Sequence, residues 1–331
     1  MIFQPAIIAL LVGSILISFM LIYSAYYGIR ILRKWDIKNG SDLQLSLERR
    51  TYLISTIMNY GFGFQLISLF LFIYTVDHLN TLFVGAMCAA GTLNVNQWGY
   101  PTIIMKVVNF LLAGLWLIIN FTDNKAYDYP LIKKKYGFFL FIIPFILVEA
   151  VLQANFFLGL KPDVITSCCG TLFTSESQGI TSEIVSFPRV PVETAFYSAM
   201  VLTFALGTCF YLKGKGAYLF SLASITTFVV SVIALISFVC LYFYELPTHH
   251  CPFCILQKEY SYIGYPIYLT FLGGAVSGMG VGGIMPFRRI NSLKEIVPSI
   301  QKRLSLLSLL SYALFMAIVV YQIIASNLIL K

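Results

Sequence analysis

Eight long apolar runs leave this chain few folds to choose from, since a membrane-spanning helix needs about 20 mostly apolar residues. They lie roughly at 5–27, 52–76, 102–121, 137–158, 194–212, 217–244, 262–284 and 306–329. Hydrophobic residues make up 59% of the 331 and charged residues only 11%, with a mean hydropathy of +0.84. Those values belong to the membrane class and exclude a soluble globular domain. Inside hydrocarbon every backbone polar group must be satisfied internally, so only helices and closed barrels cross. Barrel strands alternate apolar and polar residues, whereas these runs are continuous. The expected fold is all-α: a polytopic bundle of about eight transmembrane helices in contact with lipid.

Orientation follows from the basic residues of the short loops. Arg30, Arg33, Lys34, Lys38, Arg49 and Arg50 follow the first helix, and Lys125 and Lys133 to Lys135 the third. Lys213 and Lys215 follow the fifth, and Arg288, Arg289, Lys294, Lys302 and Arg303 the seventh. Seventeen of the 22 basic residues thus share one side, which is expected to be cytoplasmic. The loops at 77–100, 159–193 and 246–261 carry only Lys161, Arg189 and Lys258, so they and both termini are expected outside. This topology suits a bacterial or archaeal cytoplasmic membrane. It also accounts for the net charge of +8 without a nucleic-acid partner. Residues 1–27 have no positive charge ahead of the apolar run, so a retained helix is expected rather than a cleaved signal. Trp98, Tyr100, Tyr129 and Tyr265 near helix ends suit interfacial belts.

No linker or low-complexity stretch divides the chain, which reads as a single integral membrane domain, 1–331. A weak internal echo runs through it. Helix two ends in Tyr74-Thr75-Val76-Asp77-His78, and its loop passes Cys88 to reach Gly99-Tyr100-Pro101. Helix six ends in Tyr244-Glu245-Leu246, and its loop passes Cys251 and Cys254 to reach Gly264-Tyr265-Pro266. Both loops follow an acidic residue. The echo suggests four-helix units at 52–212 and 217–329, the second truncated. The 35-residue loop 159–193 is the longest and is expected to fold over the outer mouth of the bundle.

Chemistry concentrates in the outer loops, which hold Cys88, Cys168, Cys169, Cys251 and Cys254 and all three histidines. The most specific motif is His249-His250-Cys251-Pro252-Phe253-Cys254. A Cys-x-x-Cys beside a helix start suits a reversible disulfide, because the helix N-terminus lowers a thiol pKa. The thiolate is both the nucleophile of exchange and a soft metal ligand. Cys168 and Cys169 are adjacent, with Cα atoms about 3.8 Å apart, below the usual disulfide range of roughly 4.4–6.8 Å. A bond between the two requires a strained ring, which would be easily reduced; otherwise one of them bonds Cys88, Cys251 or Cys254, or both hold one soft metal ion. His249 and His250 can lower a neighbouring thiol pKa, shuttle protons, or bind Zn or Cu(I) with Cys251 and Cys254. Set against these readings are structural disulfides and solvated histidines in a non-catalytic subunit of a larger complex. Haem is not expected, for there is no Cys-x-x-Cys-His and no pair of intrahelical histidines. Cys209 and Cys240, inside apolar helices, read as small core residues.

The run Cys251-Pro252-Phe253-Cys254-Ile255-Leu256-Gln257-Lys258, followed by Tyr265-Pro266, resembles the DsbB family, including its BdbC branch. The preceding helix end, Leu241-Tyr242-Phe243-Tyr244-Glu245, is similar too. These are membrane thiol–quinone oxidoreductases of disulfide bond formation, and the resemblance covers about residues 217–268. It implies that Cys251 and Cys254 hand electrons to a quinone, with Gln257 and Lys258 beside its ring. Lys258 stands where the family typically has Arg. The family's second cysteine pair lies in the outer loop before its last helix. Here Cys168 and Cys169 of the loop 159–193 are the candidates for that role, with Cys88 in place of a further Cys-x-x-Cys. The implied partner is a periplasmic or extracellular thiol protein.

Within the bilayer, Glu149 is the one acidic residue deep in a helix, at a cost of roughly 2.5–3.5 kcal/mol if charged and alone. Antiparallel packing of helices three and four would pair it with Lys106, close to Asn109, and Gln153 lies one turn outward on its face. The pair reads either as a proton relay or quinone headgroup site, or as a structural clamp. Gly273, Gly274, Gly278, Gly280, Gly282 and Gly283 give helix seven a smooth face for close packing. The leading expectation is a membrane thiol–disulfide oxidoreductase that uses a quinone, ahead of a soft-metal (Cu/Zn) protein and a non-catalytic subunit.

Overall fold

The computed structural model describes residues 3–35, 42–161, 164–166 and 187–328. It is 82% helical and contains no strand among the described residues. Among the described residues the α-helices are α1 (Pro5–Lys34), α2 (Asp42–His78), the short α3 (Ala89–Leu93), α4 (Gly99–Asn124), α5 (Ile132–Leu158), α6 (Arg189–Lys213), α7 (Ala217–Tyr244), α8 (Gly264–Gly283) and α9 (Ile296–Ala325). All but α3 are long and apolar enough to cross a membrane, giving the eight expected spans. Large apolar side chains such as Phe19, Leu222 and Leu310 point outward, as a lipid-facing surface requires. Pro101 and Pro266 each occupy the first turn of their helix, where the missing N–H has no partner to lose. The repeated Gly-Tyr-Pro therefore opens α4 and α8 in the same way.

The contacts divide the chain into two compact units. The first comprises Met1–Thr75, Asn96–Leu160 and Phe287–Val297; the second comprises Val76–Val95, Lys161–Pro286 and Pro298–Lys331. Packing sets these bounds. Helix α1 lies along α5 and completes the first unit, while α6 packs on α7 and joins the second. In the first unit Leu21, Ile54, Met58, Phe62, Trp116 and Phe139 form one apolar core. The Phe62 ring sits 4.7 Å from Trp116 and 6.2 Å from Phe139, centroid to centroid.

Two buried ion pairs interrupt that core. Lys106 Nζ lies 2.7 Å from Glu149 Oε1, so α4 and α5 pair these residues as their antiparallel packing predicts. Asn109 Nδ2 donates to Glu149 Oε2 at 2.5 Å, and Gln65 donates to the same oxygen. The Lys106 ammonium also reaches Ser68 Oγ at 3.3 Å and the face of Phe72. Lys135 Nζ lies 2.7 Å from Asp123 Oδ2 and donates to Asn120 Oδ1 at 3.1 Å. A cleft of about 580 Å³, whose walls include Trp35, Glu48, Tyr52, Asn59 and Asn120, borders this second pair.

In the second unit the glycines of α8 let three helices approach closely. A Cβ on Gly278 would stand 2.1 Å from Ser224 Oγ of α7, and one on Gly282 would stand 2.6 Å from Ser221 Cβ. A Cβ on Gly274 would press on the Tyr312 ring of α9 at 3.1 Å. Hydroxyls seal the seam: Ser308 Oγ donates to Gly274 O at 2.8 Å, and Tyr312 OH to Ser224 O at 2.8 Å. Gly278→Ala is therefore expected to destabilise the protein by about 1–3 kcal/mol through overpacking. Gly137→Ala on α5, where nothing lies within 4 Å of the added carbon, serves as the silent control. Thermal unfolding of both variants in detergent measures the difference.

Candidate functional site

Every described residue of the thiol site belongs to the second unit. Its first strand of chain leaves α2 at His78, makes a 3₁₀ turn at Asn80–Leu82 and turns again at Gly85, where φ is +87°. That glycine is obligatory in form, because a Cβ there would stand 2.2 Å from the Thr166 carbonyl oxygen. The chain then places Cys88 just before α3. Asp77, buried in the last turn of α2, accepts the Ala89 N–H at 3.1 Å. Thr166 Oγ1 in turn donates to Gly91 O at 2.8 Å. The Cys88 loop is thus anchored at both ends.

The second strand of chain leaves α7 at Tyr244 through Glu245, whose φ of 53° reverses the backbone. Residues 254–260 form two single 3₁₀ turns, Cys254–Leu256 and Lys258–Tyr260, separated by an extended Gln257. The α-helix proper begins only at Gly264. Cys251 and Cys254 therefore do not sit at an α-helix start. Extended Gln257 and the positive φ of Ser261 and Tyr262 delay the helix.

The two loops meet at their sulfurs. Cys88 Sγ and Cys251 Sγ are 3.6 Å apart, and the sulfurs of Cys88, Cys251 and Cys254 all lie within 4.8 Å of one another. Cys88 and Cys251 are 0% exposed and Cys254 6%. A contact across 163 residues brings the loops after α2 and α7 together. His249 Nε2 lies 3.4 Å from Cys254 Sγ. Burial holds the His249 pKa below the ordinary imidazole value; Cys88 opposes that shift and His250 adds to it.

Two tyrosines hold the motif's backbone. Tyr244 OH donates to Cys251 O at 2.5 Å and accepts the Ile255 N–H at 3.0 Å, spanning the Cys-x-x-Cys turn. Its ring packs edge-on against His249 with centroids 4.5 Å apart. Tyr268 of α8 donates to Pro252 O. Both hydroxyls escaped the sequence reading, although Tyr244 lies in the helix end that carries the family resemblance.

The remaining candidates fall into place differently. His250 Nδ1 donates to Ile236 O at 2.9 Å, so this ring is tied to α7. A carbonyl only accepts, which puts the proton on Nδ1. Gln257 Nε2 donates to Met87 O at 2.7 Å and to Asp77 Oδ1 at 3.3 Å, lacing the two cysteine loops together. Lys258 and His78 are exposed. Lys106 and Glu149 belong to the first unit, paired with each other. Cys240 is buried as expected, but Cys209 is exposed on α6 and is no core residue. Cys168 and Cys169, with most of the loop 159–193, lie outside the described residues. Asp77 is the participant that sequence reasoning passed over, though an acidic residue at the loop entry was its signal. No protein-family model, no curated protein and no solved structure matches this chain.

Proposed function

We propose that this protein is a membrane thiol–disulfide oxidoreductase whose centre is the Cys88–Cys251–Cys254 cluster, carried on loops that face outside the cytoplasmic membrane. The 3.6 Å approach of Cys88 to Cys251 is the observation that carries this reading. In the oxidised form a Cys251–Cys254 disulfide faces the Cys88 thiol. Attack by Cys88 thiolate on Cys251 forms a Cys88–Cys251 bond and releases Cys254 as thiolate, with no net change in electrons. An external dithiol protein attacks the Cys251–Cys254 disulfide at Cys254, the most exposed of the three, and Cys251 leaves as thiolate. The partner's second thiol resolves the mixed disulfide, so the partner is oxidised as Cys251 and Cys254 are reduced. His249 stands within reach of the Cys254 proton, and its burial favours the neutral ring that can accept one.

Re-forming the disulfide from two thiols releases two electrons and two protons. A lipid-soluble quinone is the acceptor class we propose, supported by the family resemblance and by the cluster's position at the ends of membrane helices. Exposed Lys258 is the residue at hand to meet a quinone oxygen. The Gln257 amide donors are already engaged with the Cys88 loop, so its part is positioning. A supply of reduced dithiol and a short-chain quinone tests the reading, followed by quinone absorbance and by thiol trapping of Cys251 and Cys254. Turnover is expected from the wild type, background only from Cys251→Ser, and unchanged turnover from Cys209→Ser. Thiols whose redox state ignores the quinone would rule the proposal out.

A further inference from the structure

We propose that the same cluster, when reduced, binds one soft cation, Zn2+ or Cu+, through the sulfurs of Cys88, Cys251 and Cys254, and that closing the Cys251–Cys254 disulfide expels it. Binding needs only the geometry; expulsion rests on the redox reading above.

Three sulfurs no more than 4.8 Å apart leave a central point close to all of them. For such a triangle that point is about 2.8 Å or less from each corner, against roughly 2.3 Å for a zinc–thiolate bond. A contraction of about half an ångström per sulfur therefore closes a three-thiolate site without moving a helix. One edge, at 3.6 Å, is already short enough.

The chemistry of the donors selects the ion. The nearby carboxylate, Asp77, is directed at the Ala89 N–H and Gln257. Three sulfurs with no oxygen donor among them favour Zn2+ or Cu+ over Mg2+ or Ca2+. Burial of Cys88 and Cys251 keeps competing water out. His249 touches only the Cys254 corner and is not one of the three ligands.

Redox chemistry then becomes a release mechanism. Oxidation withdraws one electron from each of Cys251 and Cys254 to the quinone-class acceptor and joins their sulfurs. Two of three thiolates disappear, and Cys88 alone does not hold the ion. Conversely, a bound ion occupies the thiolates that exchange requires, so metal and turnover exclude each other.

The test uses the full-length protein in detergent. Reduced wild type is exposed to Zn2+ or Cu+ in separate arms, passed over a chelator and analysed for metal. One retained equivalent is expected, with Co2+ as a third arm showing thiolate-to-metal charge-transfer absorption. Cys88→Ser and Cys251→Ser are expected to lose that equivalent, Cys209→Ser to keep it, and circular dichroism checks that each variant is folded. A stoichiometric oxidant added to the loaded wild type should release the metal as thiols are consumed. No metal on the reduced wild type, or full retention by a folded Cys88→Ser variant, would overturn the site. Metal that stays through oxidation would overturn the release step alone. Metal binding without quinone-linked turnover would leave this site standing and remove the oxidoreductase reading.

Discussion

Glu149→Gln is expected to destabilise the protein by about 3–5 kcal/mol, because it strands the Lys106 ammonium in the core of the first unit. Lys106 is 2% exposed, and among the described residues Ser68 and the Phe72 face remain to stabilise it. The substitution keeps shape and still offers an oxygen to Gln65 and Asn109, so charge is the variable. Adding Lys106→Met should restore most of the loss, since replacing both members of a buried pair is often neutral. Denaturant titration of the three variants in detergent checks this. Equal stability of wild type and Glu149→Gln would mean that the pair contributes nothing. A double variant as weak as the single would mean that Lys106 matters through its packing.

Asp123→Ala should cost as much and be harder to rescue. Asp123 has two jobs: it pairs with Lys135, and its Oδ1 accepts the Leu131 N–H at 2.8 Å, closing the turn between α4 and α5. Removing the carboxylate strands both a cation and a backbone donor. Lys135→Met relieves the first, but a residual loss of about 1–3 kcal/mol should persist for the unsatisfied N–H. Asp123→Asn with Lys135→Met keeps an oxygen for Leu131 and should recover more. Equal recovery by the two doubles, measured as unfolding midpoints, would remove the turn bond from the account.

Particular residues show what could be read from sequence and what could not. The eight spans were legible because hydrocarbon imposes a length and a composition that need no partner to recognise. The Lys106–Glu149 pair was legible for a related reason: charges deep in adjacent antiparallel helices have few other solutions. Lys135 shows the limit. It counted as one of three loop lysines, yet the first turn of α5 turns it inward to Asp123, and only tertiary packing decides that. The site divides the same way. Cys251 and Cys254 announced themselves by spacing. The neighbourhood of Cys88 depends on a contact spanning 163 residues, and Gln257's role depends on where the opposite loop runs. Tyr244 was read only as part of a helix end, because its hydroxyl's partners belong to a fold no local pattern describes.

One irregularity in α7 ties helix counting to sulfur chemistry. Leu235–Val239 form a π-helical turn, which holds one residue more than the α-helical turn it replaces. A one-residue deletion there is absorbed as α7 becomes regular, whereas one in the α-helical turn that follows, Cys240–Tyr244, would swing everything after it by about 100° about the helix axis. Tyr244 would lose its grip on Cys251, and the Ile236 carbonyl would no longer meet His250. The aim of the thiol loop is in this sense indexed: it changes in discrete clicks of one residue, and shortening α7 by a single position between Cys240 and Tyr244 would misalign it.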